Sequence, residues 1–131
     1  MPDFRLPADD LEFAALSLLW ELREASVREL HERLGAPIGN VYTTTAKVVD
    51  RLRGKGLIER RRVAHTFVYR PAVERRDVER ARARQLMNRF LGSAPHAAVA
   101  ALVEAAGDID PRLLDELERA IRTKKESNHG A

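Results

Sequence analysis

The sequence predicts a mainly α-helical chain that carries one small β-hairpin. Three observations predict it. Apolar residues recur at helical spacing in six separate segments, a single stretch between Gly56 and Pro71 reads instead as two short strands, and capping or breaking residues separate the segments. The first helix is expected over residues 9–23, where Leu11, Ala14, Ala15, Leu18 and Leu22 share one stripe and Asp9 and Asp10 can satisfy free amides of the first turn. Counting about 100° per residue, Phe13, Leu16 and Trp20 fall on the far side, so this helix should lie between two layers, with Trp20 as interlayer packing. Ser26-Val27-Arg28-Glu29 is a capping box that opens a short second helix with Leu30 and Leu34 inward, ended by Gly35. Residues 35–39 read as a tight breaker, after which Asn40 caps a third helix running to about Gly54.

The strands are residues 57–62 and 66–70, joined around Val63-Ala64-His65, a turn without glycine or asparagine; Pro71 closes the unit. From about Arg75 to Leu91 a basic helix aligns Ala83, Leu86, Met87, Phe90 and Leu91, and Gly92-Ser93 breaks it. Pro95 fits the first turn of a fifth helix, carrying Val99, Leu102 and Val103 as far as Ala106, with Gly107 as the stop. Asp110 caps and Pro111 begins a sixth, which buries Leu113, Leu114, Leu117 and Ile121 before a frayed polar tail from Thr123 to Ala131.

Composition narrows the possibilities. With 131 residues, 44% of them apolar, the chain supports one compact domain or a small domain with an appendage, and leftover apolar faces make self-association an early expectation. Cysteine is absent, which excludes disulfides, thiolate metal sites and cysteine nucleophiles; no metal and no cofactor is expected. There is no run of 18 or more apolar residues, and Met1-Pro2-Asp3-Phe4-Arg5 lacks the pattern of a secretory signal, so the expectation is a cytoplasmic, nucleoid-associated protein with no membrane partner. Paired carboxylates, a nucleophile with its base, and a phosphate-cradling glycine loop are all missing at usable spacing, which argues against an enzyme.

Net charge is only +3, but its distribution is uneven. Residues 1–46 carry 4 basic and 8 acidic side chains, residues 47–70 carry 8 and 2, and residues 72–131 carry 11 and 10. One short stretch therefore holds the positive field, and it coincides with the third helix and the hairpin.

Three short helices followed by a hairpin is the order of a winged helix-turn-helix, whose third helix enters a DNA major groove while the hairpin reaches the backbone beside it. The third helix divides as that role requires. Val41, Thr45, Val48, Val49 and Leu52 fall within about 100° of one another, while Thr43, Lys47 and Arg51 run along the opposite side with Thr44 beside them. Hydroxyls and lysine suit phosphates, and arginine suits the O6 and N7 of guanine. In the hairpin Arg60, Arg61, Arg62 and His65 cluster near the tip, and their mutual repulsion calls for an anion.

The stretch from Val41-Tyr42-Thr43-Thr44-Thr45 through Val49-Asp50-Arg51-Leu52-Arg53-Gly54-Lys55-Gly56-Leu57-Ile58 resembles the penicillinase-repressor family, the BlaI, MecI and CopY type. Leu19-Trp20, Val27-Arg28-Glu29-Leu30-His31-Glu32 and Phe67-Val68-Tyr69-Arg70-Pro71 agree with it. The resemblance implies a homodimeric transcriptional repressor, in which residues 1–71 form a winged helix-turn-helix that binds double-stranded, palindromic operator DNA and residues 72–131 form a helical dimerisation region. The expected DNA-binding set is Tyr42, Thr43, Thr44, Lys47, Arg51, Arg28, Arg61, Arg62 and His65. The expected dimer interface is Leu86, Met87, Phe90, Leu91, Val99, Leu102, Val103, Leu113, Leu114, Leu117 and Ile121, the alternative being that these helices fold back on the first helix of the same chain.

The sequence departs from the family where the inducing signal is read. Antibiotic-responsive members are cut by a sensor protease at an asparagine-phenylalanine bond; here Arg89 separates Asn88 from Phe90, so that site is not carried over. Copper-responsive members use cysteines, which are absent. An unidentified inducer or a sensor protease stays open as a partner. Thr45 stands where the family usually has an apolar residue, its methyl group filling that place. His31-Glu32 lacks a second histidine four residues on and reads as an exposed helix side rather than a metal ligand. Arg75, Arg76, Arg80, Arg82 and Arg84 read as a solvated helix face with Glu74, Asp77 and Glu79 as ion-pair partners. A rival to operator binding is a winged-helix interaction module that turns the same basic face to an acidic protein.

Overall fold

The computed structural model describes residues 3–92 and 94–129. Its elements are α1 (Asp10–Leu22), α2 (Val27–Leu30), α3 (Tyr42–Gly54), β1 (Ile58–Val63), β2 (Thr66–Pro71), α4 (Arg75–Leu91), α5 (Pro95–Ile109) and α6 (Arg112–His129). This is a mainly helical chain with a two-stranded antiparallel hairpin, the winged-helix order. The chain divides into two compact units, Met1–Ala83 and Arg84–Ala131.

In the first unit α1 is the central element. Asp9 caps it, its carboxylate accepting the Glu12 amide at 2.8 Å. The buried line of α1 is Glu12, Ala15, Leu16 and Leu19, which runs between the two stripes expected from the sequence; Leu11, Leu18 and Leu22 on one side and Phe13 and Trp20 on the other are half-buried. The sandwich is therefore real, but its centre lies where the two stripes meet. On one side α3 contributes Val48, Val49 and Leu52; Leu30, Leu57, Ile58 and Tyr69 complete the core, and Val78 of α4 is fully buried with them. Trp20 donates its indole N–H to the Val73 carbonyl at 3.0 Å, meets Phe13 edge-on at 6.5 Å, and so ties α1 to the segment leading into α4.

The second helix is longer than its sequence suggests. Ser26 and Glu29 form the expected reciprocal capping box. Gly35 does not end the winding: it continues as a widened turn over His31–Gly35 and a tight 3-10 turn over Ala36–Ile38, and Gly39, at φ 80°, stops it. Pro37 sits in the first turn of that 3-10 segment, where its missing N–H costs nothing. Gly35 is needed instead for close approach, because a Cβ there would overlap the Thr45 hydroxyl and the His31 ring. Asn40 is not the cap of α3. Its backbone N–H donates to the Gly35 carbonyl at 2.9 Å, and the capping position falls to Val41, which has no side-chain acceptor to offer.

The far end of α3 is closed by the N-terminal segment. Arg5 donates its backbone N–H to the Lys55 carbonyl at 2.9 Å and its guanidinium to the Gly54 carbonyl at 3.3 Å, satisfying acceptors that a helix end leaves open. Gly56, at φ 77°, turns the chain into β1; a Cβ there would press on the Asp3 carbonyl. The strands pair from Ile58 with Pro71 to Val63 with Thr66, so the loop is only Ala64-His65 and Val63 belongs to the strand. Ala64 takes the left-handed φ of 56° that a two-residue hairpin demands. Ala25 pairs with Tyr69 through hydrogen bonds of 2.9 and 2.8 Å, which anchors the base of the wing to the link between α1 and α2.

In the second unit α5 extends past Gly107 to Ile109. Gly107 is a packing residue rather than a stop, since a Cβ there would lie 3.1 Å from Leu114 Cδ1. Asp110 accepts the Arg112 backbone N–H at 3.0 Å and its guanidinium at 2.9 Å. The Arg112 side-chain hydrogen bonds, then the backbone one, hold its carboxyl below the usual carboxylate range, so this turn is fully supported above that range and loses support as pH falls through the lowered value. The expected frayed tail is helical through His129, continuing α6 beyond the i,i+4 pair of Glu118 and Arg122; Gly130 and Ala131 lie outside the described residues, as does Ser93 of the expected break after α4.

Leu52 of α3 is fully buried in the core that α3 shares with α1. Leu52→Ala should destabilise the first unit by about 2–5 kcal/mol in chemical denaturation; a loss below about 1 kcal/mol would show that this contact does not hold α3 in place.

Candidate nucleic-acid interface

Helix α3 buries Thr45, Val48, Val49 and Leu52 and exposes Tyr42, Thr43, Lys47 and Arg51, with Thr44 half-buried at the margin. Val41 departs from the expected buried arc. It precedes the first turn with extended backbone (φ −80°, ψ 159°), so helical angles do not apply to it, and its side chain is exposed.

Two polar contacts fix this helix. The first joins α2 to α3. His31 Nδ1 and Thr45 Oγ1 share a hydrogen bond of 2.8 Å, and the His31 ring meets Tyr42 edge-on at 5.6 Å. His31 is therefore half-buried, not an exposed helix side, and Thr45 fills its place with a bonded hydroxyl as well as a methyl group. The second joins α1 to α3. Glu12 is 1% exposed, and its Oε1 lies 2.5 Å from Lys55 Nζ and accepts the Ala8 amide at 3.3 Å. Its Oε2 faces the Arg51 guanidinium at 3.8 Å. Arg51 is half-exposed, with one guanidinium nitrogen facing a buried carboxylate.

The wing arginines separate into two groups. Arg61 is held by Glu24 at 3.1 Å and Arg70 by Glu59 at 2.7 Å, both exposed pairs. Arg60 stacks on the Phe67 ring at 3.9 Å and Arg62 stands 5.7 Å from the same ring; among the described residues neither has a carboxylate partner. Together with Asp50 and Arg53 of α3 they line an open groove between that helix and β1. His65 is exposed in the loop. Arg28, on α2, is exposed and paired with Glu32 at 3.4 Å. The repulsion expected within the arginine cluster is relieved in part by Glu24, which lies outside the hairpin, and by the Phe67 ring beneath Arg60.

Glu12 is the residue that sequence reasoning missed. The signal was present: it stands three, four and seven positions before Ala15, Leu16 and Leu19, on the same buried line. A charged residue in that register needs a cationic partner from another element.

In the second unit the expected interface residues are strongly accessible. Leu86, Phe90, Val99, Leu102, Val103, Leu114, Leu117 and Ile121 are exposed, and Met87, Leu91 and Leu113 are half-buried. Of the basic helix residues, Arg75 pairs with Glu79 at 2.9 Å as expected, whereas Arg82 lies over the Phe13 ring at 4.3 Å. No helix among the described residues is long and apolar enough to cross a membrane.

Replacing Thr45 by valine keeps the buried volume but removes the bond to His31. Thr45→Val should cost about 1 kcal/mol in denaturant titration and move the His31 ring resonances; unchanged stability and unchanged resonances would mean that the α2–α3 link carries no weight.

The solution structure of the DNA-binding domain of the repressor BlaI is similar in fold, with a TM-score of 0.50 and 21% identity, over 56% of this chain and 92% of that one. The PcaV transcriptional regulator from Streptomyces coelicolor, in complex with its natural ligand, gives a TM-score of 0.48 and 23% identity over 81% of this chain and 79% of that one. A MarR family protein from Bacillus stearothermophilus gives 0.45 and 26%, over 88% and 76%. No curated protein matches the chain in sequence. The family model described as penicillinase repressor matches residues 9–123. With that match covering most of the chain and the winged-helix order in the fold, the chain belongs to the penicillinase repressor family of DNA-binding transcription regulators.

Proposed function

We propose that the protein is a repressor that binds a palindromic operator as a homodimer, with α3 in the major groove and the wing against the flanking backbone. The observation that carries this reading is the division of α3. Its apolar flank is used up in the core, while Tyr42, Thr43, Lys47 and Arg51 are exposed beside a wing whose Arg60 and Arg62 lack carboxylate partners among the described residues. Residues near the start of a recognition helix reach base edges, which suits Tyr42, Thr43 and Thr44; Lys47 and Arg51 follow along the same side. Arg62 and His65 contact phosphate from the wing, Arg61 adds to the field from its pair with Glu24, and Arg28 approaches the backbone from α2.

The exposed apolar side chains of the second unit support dimerisation. Leu102, Val103, Leu117 and Ile121 are too accessible for a unit that stands alone. A two-fold dimer presents two recognition helices to half-sites about 34–36 Å apart.

Selection of bound fragments from genomic DNA by the purified protein should yield a shared palindrome; unrelated fragments bound with equal affinity would contradict sequence-specific binding. On the selected duplex, Arg62→Ala should weaken binding to all sequences and flatten the slope of log K against log salt by about 0.9, one phosphate contact. An unchanged slope would remove Arg62 from the interface. For the dimer, Leu117→Glu should shift the sedimenting species from dimer to monomer, and a wild-type protein that sediments as a monomer at micromolar concentration would contradict the assembly.

A further inference from the structure

Helix α1 is not part of the proposed DNA-reading surface, yet it holds a carboxylate that reaches that surface from behind. Glu12 is fully buried, and burying an ionised carboxylate is costly unless every oxygen is used. One oxygen is used fully, by Lys55 at 2.5 Å and by the Ala8 amide. The other, Oε2, has no hydrogen-bond partner among the described residues; the group facing it is the Arg51 guanidinium, 3.8 Å away. Lys55 already neutralises the charge and closes the end of α3, so a second cation is not required to hold the fold. What the second oxygen does is place a negative charge 3.8 Å from one nitrogen of a planar, five-donor group whose side chain is half-exposed.

We infer that Glu12 is a positioning residue for DNA recognition: it fixes the Arg51 guanidinium from the interior so that its outward donors meet the duplex in one orientation. This rests on the proposed operator binding. The reason is entropic and geometric. A free arginine side chain on a helix surface samples many rotamers, and a contact with a base edge or a phosphate must order it; a buried carboxylate behind the guanidinium orders it before DNA arrives.

The sign of the effect separates this role from the alternatives. Glu12 is negative, so if it acted only through net charge, its removal would strengthen binding to every DNA sequence. If it acted only by supporting the fold, its removal would weaken binding to every sequence in proportion to the unfolded fraction. A positioning role weakens the selected duplex alone. The test is therefore Glu12→Gln in the full chain, which keeps the shape and a neutral acceptor for Lys55, assayed against the selected palindromic duplex and a scrambled duplex at fixed salt. The expected result is about a tenfold loss on the palindrome with no loss on the scrambled duplex, and no further loss when Glu12→Gln is added to Arg51→Ala. Glu12→Asp, which is charged but shorter, should recover little.

A readout without DNA keeps the two readings apart. The Arg51 side-chain Nε–H resonance should be narrow in the wild type and broadened or shifted in Glu12→Gln. Should Glu12→Gln prove unfolded, Arg51→Lys serves as the second variant: it keeps charge but cannot bridge carboxylate and DNA, and should show the same selective loss. Equal losses on both duplexes, additive losses with Arg51→Ala, or an unmoved Arg51 resonance would overturn the inference while leaving operator binding intact. A wild-type protein that binds no duplex selectively would overturn operator binding and the DNA role of Glu12 with it, even if the Arg51 resonance responds.

Discussion

The docking of α3 across α1 is the contact on which the rest of the first unit depends. Val48, Val49 and Leu52 of α3 share one core with Ala15, Leu16 and Leu19 of α1, and the two helices are in direct contact. The second helix is set by Leu30 and by the close approach of Gly35 to Thr45. The wing starts where α3 ends, with Leu57 and Ile58 buried directly after the Gly56 turn and Tyr69 returning to pair with Ala25. Because one flank of α3 is wholly committed to the core, its other flank has a fixed direction, and a rigid exposed face is what recognition requires.

Two polar groups inside this contact deserve comparison. Thr45 with His31 and Glu12 with Lys55 and Arg51 sit at opposite ends of α3. Hydrophobic packing alone tolerates small rotations and slides of one helix over another, whereas a hydrogen bond or ion pair is satisfied at one setting only. Each pair therefore fixes the helix at its own end, and each lies one step behind an exposed residue of the proposed interface: His31 behind Tyr42, and Glu12 behind Arg51. Replacing either pair with well-packed apolar groups could preserve stability and still loosen the presented face.

Much of this was legible in the sequence. The order of elements, the Asp9 cap, the Ser26-Glu29 box, the burial of Thr45, Val48, Val49 and Leu52 and the exposure of Thr43, Lys47 and Arg51 follow from periodicity and capping chemistry. The misreadings share a cause, which is that local pattern was allowed to decide what a distant neighbour decides. Gly35 and Gly107 looked like stops, but each is small because another side chain packs against it, Thr45 and Leu114 respectively. Asn40 looked like a cap and serves the preceding turn instead. Glu12 drew no reading of its own, because its partners Lys55 and Arg51 come from 39 or more positions away. The hairpin arginines lack enough acidic partners within their own segment, and the partner Arg61 finds, Glu24, is remote in sequence.

The central claim is that α3 hides one flank and offers the other to a duplex, and amide and side-chain nuclear magnetic resonance during titration with the selected palindrome tests it most directly. The account predicts that Tyr42, Thr43, Lys47 and Arg51 shift together at saturating duplex while Val48, Val49 and Leu52 keep their side-chain shifts. Resonances of α3 that stay unmoved while those of another surface change would contradict it.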